Sequence, residues 1–206
     1  PEVRIKWLEL LDVIREQGGH EIVSISVPSI KQSLEVYYTL VTAEAASNLA
    51  KYDGNRYGYK KNNYVETRTE GFGDEVKQRI TLGNFTLSSY GYESHYMKAM
   101  NMRSQLINEF NAVFSDQHVL TKTSGVTDGV DFIISPTTID VPPSIEEFNK
   151  MTNVESYTND VLTVPASLAG LPALNIPFQG HGFQIIGQHA MDYKVLQFAH
   201  SLNMYI

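Results

Sequence analysis

The sequence predicts an α/β fold, and three observations predict it. Some stretches repeat apolar residues at helical spacing, while others alternate with a period near two or form short continuous apolar runs. The two kinds interleave along the chain, which favours strands and helices packed in layers over an all-helical bundle. Gly and Pro residues stand at the changes of pattern.

Val3, Trp7, Leu8, Leu11 and Ile14 share one side of a helix, and Gly18-Gly19 supplies its stop. Residues 21–27 alternate and end at Pro28, so a half-buried strand is expected there. A helix follows over about 29–52, with Leu34, Tyr37, Tyr38, Val41, Ala45 and Leu49 along one side, and Tyr52-Asp53-Gly54 closes it. Residues 55–70 are polar and weakly periodic, and read as a surface loop. A short helix is expected over 73–82 and a long one over 93–114, where Tyr96, Met97, Met100, Leu106, Ile107, Phe110 and Phe114 make a wide apolar stripe. Residues 130–136 read as a fully buried strand. A small-residue helix over 159–169, strands over 173–177 and 182–187 and a final helix over 192–202 complete the chain. No repeat or linker divides it, so residues 1–206 read as part of a single domain.

Composition bounds the function. The 206 residues are 42% hydrophobic and 11% aromatic, enough for a sizeable core. A net charge of -7 opposes direct grip on nucleic acid, which needs clustered Lys and Arg to neutralise phosphates, so any RNA contact is delegated to a partner. The absence of Cys removes thiolate chemistry and fits a reducing compartment. No apolar run approaches the roughly 18 to 20 residues of a membrane-spanning helix. A start at Pro1 inside a helical pattern reads as part of something longer.

Few motifs carry chemistry alone. Gly71-Phe72-Gly73 and Gly180-His181-Gly182 lack phosphate-cradling spacing and read as turns. The six His residues are scattered without the spacing of a zinc site, so no metal is expected. Ser88-Ser89 and the isolated serines lack the Gly-rich turn that would offer oxyanion donors, and no nucleophile stands out. Two charged residues are more informative. Arg79 either pairs with Glu75 one turn away or offers its planar fork to a carboxylate. Asp160 either caps a helix or receives an ammonium.

The run over 156–177 carries Asn159-Asp160, Thr163, Pro165, Leu168-Ala169-Gly170, Pro172 and Pro177 in a spacing that resembles the amidase-signature family. Residues 182–187 resemble the same family's Gly-Leu-Gln-Ile-Ile-Gly segment, here with Phe183 for the Leu. Residues 44–58 and 67–80 resemble one branch of that family, the A subunits of tRNA-dependent amidotransferases, and residues 131–137 fit its apolar strand. Ser167 in place of the usual Asn, and an insertion over 120–128, point to a divergent, mitochondrial fungal kind of member, with a bacterial cytoplasmic one as the alternative.

The resemblance implies the C-terminal half of the amidase-signature fold, a mixed β-sheet flanked by helices on both faces. It implies glutamine hydrolysis that feeds ammonia to the conversion of Glu-tRNA(Gln) to Gln-tRNA(Gln). The Ser-Ser-Lys catalytic set lies in the N-terminal half of such proteins, so no catalytic residue is expected here. This half would hold the glutamine: Arg79 on the α-carboxylate, Asp160 on the α-ammonium, and Tyr37 or Tyr38 through a hydroxyl. No cofactor is expected on this chain, with ATP and Mg2+ used by a partner protein. The implied partners are a B subunit that carries most of the Glu-tRNA(Gln) contact, a small third subunit, and the N-terminal half of the same chain. The rival readings are a stand-alone amidase on other amides and a catalytically degenerate scaffold.

Overall fold

A computed structural model describes residues 2–152 and 157–204. The start of the family-like run at Ser156 lies outside them, as does Pro1. The chain forms two compact units, one of residues 1–34 and 104–206 and the other of residues 35–103.

The first unit is built on a three-stranded antiparallel sheet, β1 (Phe132–Pro136), β2 (Ala173–Phe178) and β3 (His181–Gly187), in the order β1-β3-β2. Gln179 and Gly180, both at positive φ, turn β2 into β3. The register pairs Ile134 and Leu174 with Ile185, and Pro136 and Ile176 with Phe183, so these residues share a face. Against that face pack the first helix α1 (Glu2–Glu16) and the last, Asp192–Leu202. Leu10 and Ile14 from α1, Ile176, Phe178, Phe183 and Ile185 from the sheet, and Val195, Ala199 and Leu202 from the last helix form the core. Five of these nine are at most 1% exposed, and full burial of each such side chain stabilises by about 1.5–3 kcal/mol. Phe132 stacks on Phe198 at 4.4 Å between ring centroids.

The opposite face is more polar. Gln184 reaches Ser135 there, and Thr137 donates to Asn175. Residues 159–169 do not run as one helix: a 3-10 turn, Asn159–Leu162, is followed by an α-helix, Val164–Ala169. Pro165 has no N–H to donate to the carbonyl of Val161, so the regular helical ladder breaks there. Gly170, at φ 74°, ends the helix in the left-handed conformation.

Two strand expectations need correction. Residues 21–27 form no strand: Ile22, Val23 and Ile25 are exposed, and no described strand lies beside them to complete a ladder. The strand expected to be fully buried, β1, is half-buried along its whole length because it pairs on one side only, with β3. All pairings in the sheet are antiparallel; a parallel bridge joins Phe114 to Val130 outside it.

The other unit takes in α2 (Ser33–Leu49) from Glu35 onward; a 3-10 turn at Pro28–Gln32 precedes the helix, and its buried residues are Ser33, Val36, Thr42, Ala43 and Ala46. The buried stripe is therefore rotated from the side expected, because small residues permit close helix packing. At α4 (Asp74–Thr86), a Cβ on Gly83 would meet the Thr42 carbonyl oxygen at 2.0 Å and the Ala46 Cβ at 2.7 Å, so glycine sets this crossing.

Between them the polar stretch expected to be a loop contains α3 (Tyr64–Gly71). Its start comes from capping and not from an apolar stripe: the Asn63 side chain accepts from Glu66 N at 2.9 Å and donates to the Glu66 carboxylate at 2.7 Å. Arg68 donates to the carbonyls of Leu49 and Tyr52, fastening α3 to the end of α2. The long helix expected over 93–114 opens with a π-helical turn, Tyr92–Met97, and becomes α5 at Lys98–Asn111. Among the described residues no helix is long and apolar enough to cross a membrane.

Candidate functional site

Arg79 lies one turn before Gly83 on α4, and therefore on the side of that helix that meets α2. Its guanidinium is exposed, and among the described residues no ion pair engages it, Glu75 included. A planar fork in this position has the geometry to take a carboxylate through two hydrogen bonds.

Tyr38 lies one turn before Thr42, and the Thr42 hydroxyl donates back to the Tyr38 carbonyl at 2.8 Å. Tyr38 therefore sits on the row of α2 that touches α4, whereas Tyr37, next to it in a helix of 3.6 residues per turn, points about 100° away. The two rings meet edge to face at 5.4 Å. Arg79 and Tyr38 each lie one turn before a residue of this crossing, Gly83 and Thr42 respectively.

Asp160 belongs to the other unit, in the 3-10 turn beside the polar face of the sheet. It is not the capping residue, since the cap position is Thr158 and carries no side-chain cap bond. The turn is closed by Thr163, whose N–H and hydroxyl donate to the Asp160 carbonyl at 3.1 and 3.2 Å. It is tied to the sheet by Gln184, whose side-chain amide donates to the Leu162 carbonyl at 2.6 Å. Gln184 falls in the family-like segment over 182–187, where the sequence assigns it no role, although a lone carboxamide between Phe183 and Ile185 in an apolar strand is a usable signal.

Arg68 was also passed over. It lines a cavity of about 220 Å3 with Tyr52, Tyr59, Thr67 and Phe72. Its guanidinium lies 4.8 Å from the Phe72 ring centre and, with two backbone carbonyls already bound, acts as a structural tie. His118 is buried and stacks on His189 at 4.8 Å with the rings nearly parallel. Burial lowers the His118 pKa, and the neighbouring His189 lowers it further. Its Nδ1 accepts from Thr121 N, which fixes the neutral ring. Among the described residues no three of His, Asp and Glu gather as a metal-ligand set.

A sequence profile of the Amidase family matches residues 1–196. The chain is 47% identical over 192 residues to the mitochondrial glutamyl-tRNA(Gln) amidotransferase A subunit of Candida albicans strain SC5314, covering 88% of this chain and 42% of that protein. It is 44% identical over 212 residues to the protein of the same name from Eremothecium gossypii, covering 96% of this chain and 45% of that one. Against the glutamyl-tRNA(Gln) amidotransferase A subunit of the bacterium Halothermothrix orenii the identity is 41% over 201 residues, with 91% and 39% covered. The chain thus spans less than half the length of the curated relatives it matches.

Proposed function

This chain belongs to the amidase family, and from that premise we propose that it forms the glutamine-holding part of a tRNA-dependent amidotransferase A subunit. The observation that carries the reading is the exposed Arg79 on α4, one turn before Gly83, which packs on Thr42 and Ala46 of α2. Two parallel N–H donors match the two oxygens of an α-carboxylate, a fit that a lysine could not reproduce. The family resemblance assigns the α-ammonium to Asp160 and a hydroxyl contact to Tyr37 or Tyr38, of which Tyr38 lies on the Thr42 row of α2.

Held in this way, glutamine presents its side-chain amide to a nucleophile from the half of the protein not contained in this chain. The amide C–N bond breaks, ammonia leaves with a proton, and the γ-acyl group passes to the nucleophile oxygen; water then releases glutamate. Ammonia passes to a B subunit, where ATP, held with Mg2+, would activate glutamate on Glu-tRNA(Gln) for amidation. A small third subunit joins the two. The net charge of -7 supports leaving the RNA contact mainly to the B subunit. The names of the fungal relatives support a place in the mitochondrial matrix.

Arg79→Ala in the complete enzyme tests this. The KM for glutamine should rise by about 30-fold or more, the loss of a charge-assisted bidentate contact, while amidation with ammonium chloride as nitrogen donor stays near wild type. Equal loss with both nitrogen donors would remove Arg79 from the glutamine pocket.

A further inference from the structure

The reading of Asp160 as the ammonium acceptor raises the question of what holds that carboxylate in place. The 3-10 turn that carries it is four residues long, too short for its own hydrogen bonds to fix it. Its backbone is tied to the sheet by Gln184, on β3, which donates its side-chain amide to the Leu162 carbonyl at 2.6 Å and to the Ser135 hydroxyl at 2.9 Å. The Ser135 hydroxyl in turn donates to the Pro136 carbonyl at 3.3 Å, which leaves its lone pairs to accept from Gln184. A backbone carbonyl can only accept, so the orientation of the carboxamide is settled by Leu162.

Gln184 is 3% exposed within an apolar strand. A carboxamide in that setting is unfavourable unless its donors are used, and here both amide hydrogens have an acceptor, one on β1 and one on the turn. The bond to Leu162 falls two residues after Asp160, and the next residue, Thr163, closes the turn on the Asp160 carbonyl. Fixing Leu162 therefore fixes the backbone from Asp160 to Thr163 as a unit.

We propose that Gln184 is a positioning residue for the substrate ammonium, acting through the Leu162 carbonyl to hold Asp160 in register with the sheet. The proposal rests on the glutamine reading of Asp160. Gln184 touches no substrate atom; its contribution is to remove a freedom of the turn that substrate would otherwise have to freeze.

The experiment compares glutaminase kinetics of the complete enzyme, wild type and carrying Gln184→Met, Asp160→Asn or both, with glutamine and with glutaramate, which lacks the α-amino group. Gln184→Met should raise the KM for glutamine on the order of tenfold, the effect of losing the buried bond to the Leu162 carbonyl, with kcat within about a factor of two. Its KM for glutaramate should be unchanged, because no ammonium is left to place. The double variant should be no worse than Asp160→Asn alone. If Gln184→Met yields no soluble enzyme, Ser135→Ala removes only the second acceptor of the carboxamide, leaving its bond to Leu162, and should show the same split at smaller amplitude. Equal KM increases for both substrates, or a fall in kcat alone, would overturn the positioning role. A selective loss in Asp160→Asn with none in Gln184→Met would overturn it too, and leave the glutamine reading intact. Indifference of Asp160→Asn to the α-amino group would overturn the glutamine reading itself.

Discussion

Gly83→Ala is the perturbation whose outcome the helix crossing fixes most closely. An alanine Cβ would lie 2.0 Å from the Thr42 carbonyl oxygen and 2.7 Å from the Ala46 Cβ. Carbon and carbonyl oxygen settle no closer than about 3.3 Å, so α4 must move away from α2 by roughly 1 Å. The obstacle is backbone and cannot rotate aside. Alanine gains about 1 kcal/mol over glycine in a helix interior. Overpacking costs about 1–3 kcal/mol, and a backbone clash belongs at or above the top of that range. The net loss is about 2 kcal/mol, a fall in Tm of about 4–8 °C for a domain of 150–250 residues, read by circular dichroism on the intact protein. The same shift carries Arg79, one turn away, off its position, and a misplacement of about 1 Å can cost about a hundredfold in catalysis. Glutamine-dependent turnover should fall while ammonia-dependent turnover holds. A Gly83→Ala protein with unchanged or higher Tm would refute the account of the crossing.

Two further outcomes follow from the local chemistry. Asn63→Ala removes both reciprocal bonds with Glu66 and should destabilise α3 by about 1 kcal/mol, read as faster amide exchange over residues 64–71, whereas Asn63→Asp should retain most of the cap. His118 has a folded-state pKa below its ordinary value, so below about pH 6.5 the unfolded chain takes up a proton that the folded chain refuses. Stability should therefore be full above that pH and decline as pH falls towards the lowered value. His118→Gln should flatten this slope in urea titrations, and an unchanged slope would show that another group sets it.

Much of the first unit was legible in the sequence because its elements carry strong periodicity. The final helix over 192–202, the paired strands ahead of it and the opening helix all follow from apolar spacing. What periodicity could not convey was pairing. Residues 21–27 alternate as a strand does, yet a strand exists only beside another, and Ile22, Val23 and Ile25 stay exposed. The apolar run of β1 likewise predicted burial on both sides, while its single neighbour leaves it half-buried. In the second unit α3 was hidden because a side-chain cap begins it and only Thr67 is buried. At the candidate site Arg79 and Asp160 were visible as residue types. The support under them, Gly83 below one and Gln184 below the other, depends on contacts between segments far apart in sequence.

Glutamine binding to the complete enzyme, measured by calorimetry for wild type against Arg79→Ala, tests the grip on the substrate carboxylate most directly. Glutamine and the des-carboxy analogue γ-aminobutyramide are titrated in parallel. Arg79→Ala should weaken glutamine binding by about 30-fold or more and leave the already weak binding of the analogue unchanged, because only glutamine offers the α-carboxylate that the fork takes. Unchanged glutamine affinity in Arg79→Ala would contradict the claim that this chain supplies the grip on the substrate carboxylate.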